Sequence, residues 1–128
     1  MDGMTNIAAL VGRILIVIIF LLSGFAKITD FNGTVAYIAS VGLPMPQACA
    51  IIAIIVEVIG GLCILVGFQA RFAALIVAIF CVVAAFAFHL NFADPNQKVN
   101  FLKDLAIAGG LLQIFAFGPG AYSIGYRR

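Results

Sequence analysis

The sequence predicts an all-α membrane protein, a bundle of four transmembrane helices with a short amphipathic interfacial helix between the first and the second. Three observations carry this. Hydrophobic residues make up 65% of the 128 positions, charged residues only 9%, and mean hydropathy is +1.23, which leaves no polar stretch long enough for a soluble domain. Four apolar runs, at about 7–26, 47–67, 71–89 and 101–117, approach or reach the roughly 20 residues that cross about 30 Å of hydrocarbon. Their patterning is helical and not alternating, and a backbone in lipid must satisfy its own hydrogen bonds, so helices are favoured over a barrel. A single integral-membrane domain over residues 1–128 is the natural count.

The first run resembles a secretory leader, since Ile14 to Leu22 is followed by the small-residue stretch Ser23-Gly24-Phe25-Ala26. No Lys or Arg precedes it, however, and Asp2 is acidic, so it reads as a span. Arg13 then counts as part of that span, because Ile14 to Ala26 alone would reach only about 20 Å at 1.5 Å per residue. Residues 30–42 place Phe31, Val35, Ile38 and Val41 or Gly42 on one stripe with Asn32, Thr34 and Ser40 off it, the pattern of a helix lying in the membrane interface. Leu43-Pro44-Met45-Pro46 ends it, and Pro46 suits the first turn of the second span. Gly67-Phe68-Gln69-Ala70-Arg71 is a tight turn, so spans two and three are antiparallel neighbours. Residues 91–100 form the polar connection, and Gly118-Pro119-Gly120 ends the last helix before a tail with Tyr122, Tyr126, Arg127 and Arg128.

Lys and Arg are evenly divided between the two sides, with Arg71, Arg127 and Arg128 against Lys27, Lys98 and Lys103. Arg13 breaks the tie. It lies nearer the amino-terminal end of its helix and snorkels that way, which predicts a bacterial plasma-membrane protein with both termini cytoplasmic.

The most informative single residue is Glu57, near the middle of an apolar run from Ala48 to Phe68. A carboxylate at that depth costs roughly 2.5–3.5 kcal/mol unless it is paired or faces a polar cavity, which makes it a functional candidate by default. Arg13, Lys27, His89, Lys103 and Asp104 are the groups that could answer it. By depth, Lys27, Asp30, His89, Lys103 and Asp104 fall at the outer ends of helices and outline an outward-facing polar pocket. Glu57 lies about 15 Å beneath the outer end of its own helix. Arg13 and Lys27 are rival partners for it; side chains lean toward their helix amino terminus, which favours Lys27 and works against Arg13. Arg13, Val17, Phe20, Gly24 and Lys27 share one face, Glu57 shares another with Gly60, Gly61 and Ile64, and Lys103 aligns with Ile107 and Gly110. Small residues let helices approach closely in lipid, so these faces should point inward. Glu57, Lys27, His89, Lys103 and Asp104 are therefore candidates for ligand or proton handling, with Arg13 and Glu57 as candidates for a structural buried charge network that sets helix registry.

Other chemistries find no support. One histidine cannot supply both axial ligands of a membrane b-type haem, and no His, Cys or Met cluster has metal-ligand spacing. Cys49, Cys63 and Cys81 are dispersed without a C-x-x-C and read as small buried hydrophobes. There is no phosphate loop, no serine triad signature, no basic patch for nucleic acid, and no self-contained catalytic motif.

Gly12-Arg13, Ser23-Gly24-Phe25-Ala26-Lys27, Phe31-Asn32-Gly33-Thr34, Tyr37, Gly42-Leu43-Pro44, Val56-Glu57 with Gly60-Gly61, Gly67 with Arg71, His89, and Asn100-Phe101-Leu102-Lys103 followed by Gly109-Gly110 together resemble the DoxX family of small bacterial inner-membrane proteins, in order and spacing from about Val11 to Tyr126. The resemblance implies a four-helix membrane protein. It also implies a link to quinone-coupled oxidation, since the family takes its name from subunits associated with a quinone-linked thiosulfate oxidation and terminal oxidase system. Asp104 stands where the family often has Asn and puts a second charge beside Lys103. Three functions are compatible with these residues. One is a small subunit or accessory of a quinone-linked oxidoreductase that binds a quinone head group or small anion. The others are a non-catalytic scaffold that docks partner membrane subunits or a second copy, and an oligomeric small-solute transporter.

Overall fold

The computed structural model describes residues 3–88 and 94–123. Helix α1 spans Gly3–Thr29 and α2 spans Phe31–Ser40. Helix α3 runs Pro46–Val66 and opens into a π-helical turn at Val56–Gly60. Helix α4 covers Ala70–Phe88 and α5 covers Pro95–Phe117. Four of these, all but α2, are long and apolar enough to cross a membrane.

The caps explain the boundaries. Asp30 accepts from the Gly33 amide at 3.2 Å, which starts α2 one residue after α1 ends. Gly67, at φ +82°, takes the left-handed conformation that closes α3, with its amide on the Cys63 carbonyl at 2.9 Å. Helix α1 extends beyond the expected 7–26 at both ends, and the boundary furthest from expectation is the start of α5. α5 starts at Pro95 and not near residue 101, because Asp94 caps it through the Asn96 amide and Pro95 occupies the first turn. The extra turns make the helix 23 residues long, about 35 Å, which removes the apparent shortfall in the fourth span.

In the bundle α1 neighbours α3, α3 neighbours α4, and α4 has its most extensive contact with α5. The α4–α5 seam is close because α4 presents Ala70, Ala74, Ala78, Cys81 and Ala85, small residues at helical spacing that let backbones approach. Phe86 and Phe101 add an edge-to-face contact across it, ring centroids 5.3 Å apart. Val17, Phe20, Ile64, Val77, Leu111 and Ile114 fill the centre. On α4 and α5 this core is drawn from residues 70–81 and 108–114, so it occupies the half of the bundle nearer the carboxy-terminal tail.

The other half is built differently. α4 packs against the π turn and against residues 61–66 of α3, but makes no comparable contact with residues 46–55, so the two helices part beyond the π turn. Gly24 of α1 lies against Glu57 and Val58. From that level α1 continues for about 8 Å to Thr29, while α3 continues for about 18 Å to Pro46. α2 fills the difference by packing on the first turns of α3. Its buried contact is Ile38, with Phe31 and Val35 half-buried, as the amphipathic stripe requires.

Candidate functional site

The site begins with glycine. A Cβ at Gly24 would come within 2.6 Å of a Val58 methyl carbon and 3.5 Å of the Glu57 Cβ, so only glycine lets α1 lie this close to the π turn. Gly61 receives Phe20 and Leu21 in the same way, and Gly60 receives Val77 of α4. Glu57 is thereby sealed between two neighbours and is only 4% exposed. π turns inside α-helices concentrate at functional sites, and this one holds the buried carboxylate.

Lys27 stands one turn beyond Gly24 and leans back toward its helix amino terminus. Its ammonium reaches Glu57 Oε1 at 2.9 Å and donates to Ser23 Oγ at 2.7 Å. Of the two rival partners, Lys27 is therefore the one that pairs with Glu57. Arg13 does not: it lies 14 residues further along α1, about 21 Å away along the axis, and points elsewhere.

Above the pair lies a cavity of about 780 Å³, within the roughly 300–1,000 Å³ of small-molecule sites. α1 contributes Phe20, Ser23 and Lys27, α3 contributes Cys49, Ile52, Ala53 and Glu57, and α4 contributes Phe80, Cys81 and Val83. Asp104 and Ile107 come from α5, and Thr34, Tyr37 and Ile38 of α2 close the end. The walls are almost wholly apolar, and the ionic residues among them are Lys27, Glu57, Asp104 and Asp30.

Lys103 is not part of it. The side chain is exposed and outside the cavity lining, so of the residues expected to outline the pocket Lys27, Asp30 and Asp104 line it and Lys103 does not. Adjacent residues on a helix point about 100° apart, so only one of Lys103 and Asp104 can face inward. Asp104 does, with Ile107, Ala108 and Leu111 continuing its face. His89 lies outside the described residues. Cys81 is buried, Cys49 and Cys63 are half-buried, and all three are free thiols. Among the described residues, no group of three or more His, Cys, Asp or Glu side chains is placed to hold a metal ion.

Arg13 serves the opposite end. It is 1% exposed, and its Nη1 donates to the carbonyls of Ile64 at 2.9 Å and Leu65 at 2.6 Å. Its Nη2 donates to the carbonyl of Tyr122. The last carbonyls of a helix have no intrahelical donors and carry its negative dipole end, so Arg13 caps α3 from a neighbouring helix and ties the tail beneath it. Arg71 does the same for α5, donating from Nε to the Phe115 carbonyl at 2.8 Å and from Nη2 to the Ala116 carbonyl at 3.3 Å. Sequence reasoning found Arg13 but not its partners, because backbone carbonyls leave no mark in a sequence. The glycines Gly118 and Gly120, both at positive φ, were the signal that the tail turns back toward α1.

Residues 8–90 match the family model for DoxX. The chain is 42% identical over 127 residues to Inner membrane protein YqjF of Escherichia coli (strain K12), covering 97% of this chain and 94% of that protein. It is 39% identical over 124 residues to Inner membrane protein YphA of the same organism, covering 92% and 88%. No solved structure matches. With four membrane-crossing helices and relatives of this kind along nearly its whole length, the chain belongs to the DoxX family and is a multi-pass bacterial inner membrane protein.

Proposed function

We propose that the protein is a small membrane subunit or accessory of a quinone-linked oxidoreductase system, and that the cavity at its α2 end binds a quinone head group. The observation that carries this reading is an apolar cavity of about 780 Å³ with an ion pair in its wall, Lys27 with Glu57. A quinone fits that division, since its ring is flat and apolar and its only strong acceptors are carbonyl oxygens at the ring edge. Lys27, steadied by Ser23, donates to such an oxygen. As a redox-active partner subunit of that system takes the electrons of the quinol, Glu57 accepts a proton that the quinol releases, and Asp104, also in the cavity wall, passes it toward the α2 end. A small anion fits less well, because three carboxylates face the cavity against one ammonium once Lys103 is turned outward. Transport draws no support from this arrangement, since Val17, Ile64, Val77 and Leu111 fill the bundle beyond the pair.

The test is extraction of the protein from native membranes into lipid nanodiscs, followed by solvent extraction and chromatography of bound quinone. Quinone near one per chain, falling several-fold in Glu57→Gln and Lys27→Gln at equal folded protein, supports the reading. Wild-type protein that carries no quinone, and whose unfolding temperature added quinone does not raise, refutes it.

A further inference from the structure

We infer that the quinone is drawn from the bilayer itself, with its isoprenoid tail lying in a lateral slot between α3 and α4 that opens beyond the π turn. This rests on the reading of the cavity as a quinone site and adds the route by which that site meets the membrane. The slot follows from the divergence of the two helices. α4 touches the π turn and residues 61–66 of α3, but residues 46–55 stand off from it.

Its rim is formed by the two most exposed large hydrophobic side chains of the cavity lining. Ile52 of α3 is 58% exposed and Val83 of α4 is 60% exposed. Ile52 lies six residues inside the start of α3 and Val83 five residues inside the end of α4, about 9 and 8 Å from their respective helix ends. That is the upper acyl-chain region of the leaflet, where an opening bordered by Ile and Val admits a hydrocarbon chain and excludes a hydrated solute. Cys49, Ala53 and Glu57 on α3, with Phe80 and Ala84 on α4, form the walls leading inward from the rim to the ion pair. Tyr37 and Ile38 of α2 line the neighbouring end of the cavity, where Ile38 is buried.

The chain contains no tryptophan, so Phe80→Trp places a single fluorophore in the cavity wall, and Phe72→Trp, at an exposed position of α4, serves as a lipid-facing control. Both variants are reconstituted in phosphatidylcholine vesicles and titrated with ubiquinone, either carrying its isoprenoid tail or as the tail-less head group. Saturable quenching of the cavity fluorophore by both quinones is expected, above the linear quenching of the control. Adding Ile52→Phe and Val83→Phe should raise the half-saturating mole fraction of the tailed quinone by about tenfold and leave the tail-less one unchanged. Both rim residues face lipid, so the enlargement does not overpack the core, and Val83→Phe alone gives a milder version of the same test. An unchanged response to the tailed quinone overturns the slot while leaving the cavity reading intact, and equal weakening of both quinones overturns it too. Absence of saturable quenching by either quinone overturns the cavity reading itself.

Discussion

The two halves of this bundle bury charge in opposite ways. Arg13 and Lys27 lie on one face of one helix, yet Arg13 is enclosed by the carbonyls of Ile64, Leu65 and Tyr122, whereas Lys27 meets a single carboxylate at the edge of a cavity. Arg13 borders a pocket of only about 260 Å³, whereas Lys27 borders one of about 780 Å³. A charge held by backbone carbonyls of two segments is committed to the fold, because those carbonyls are fixed by the main chain and cannot move away from it. A charge held by one side chain in a cavity can exchange partners, since a ligand oxygen can take the place of the carboxylate at the ammonium. The π turn at Val56–Gly60 is the junction between these regimes.

The largest expected effect is at the closed end. Arg13→Gln takes the guanidinium donor from the carbonyls of Leu65 and Tyr122 and should lower stability by about 3 kcal/mol, read as the midpoint of unfolding in mixed detergent micelles. A loss below about 1 kcal/mol would mean that water or lipid reaches those carbonyls and that this half is not sealed. No second substitution should restore the loss, because the partners are main chain.

At the open end the effect is smaller and reversible. Lys27→Met strands Glu57 in an apolar site and should cost about 2 kcal/mol, less than a fully enclosed pair because Lys27 is partly exposed. Adding Glu57→Met should bring stability back to within about 1 kcal/mol of wild type while quinone content stays lost. A double variant that retains quinone would reduce the pair to a packing device and erase the contrast between the two ends.

The smallest effects test the junction. Gly60→Ala drives a methyl group into Val77, whose methyl carbon lies 2.6 Å from the new Cβ position, and should cost about 1 kcal/mol after the helix-propensity gain is set against the clash. Gly109→Ala meets nothing within 4 Å and should be neutral or stabilising in the same unfolding assay. Equal outcomes at the two glycines would show that close approach of α3 and α4 at the π turn is not required.

Much of this was legible in one dimension. The spacing of Arg13, Val17, Phe20, Gly24 and Lys27 is the buried or half-buried face of α1, because a helix repeats every three to four residues whatever it packs against. The isolation of Glu57 in an apolar run identified the residue that the bundle encloses. The inward face of α5 was misread, since Lys103 and Asp104 are neighbours and both aligned with small or apolar residues further along. Only the packing of α5 against α4 chose between them. The early start of α5 was written in Asp94-Pro95, a cap and first-turn pair hidden inside a polar stretch that read as a connection.

Composition and periodicity by themselves determined that the chain crosses the membrane four times and which face of α1 turns inward, because the bilayer penalises polar backbone and side chains at every position alike. The tertiary structure alone decided that Glu57 answers Lys27 and not Arg13, that Arg13 caps α3, and that α3 leaves α4 beyond the π turn to form a cavity. Those outcomes depend on the relative depth of helices joined by turns of unequal length, and a shift of a few ångströms along a helix axis is enough to exchange one ion-pair partner for another.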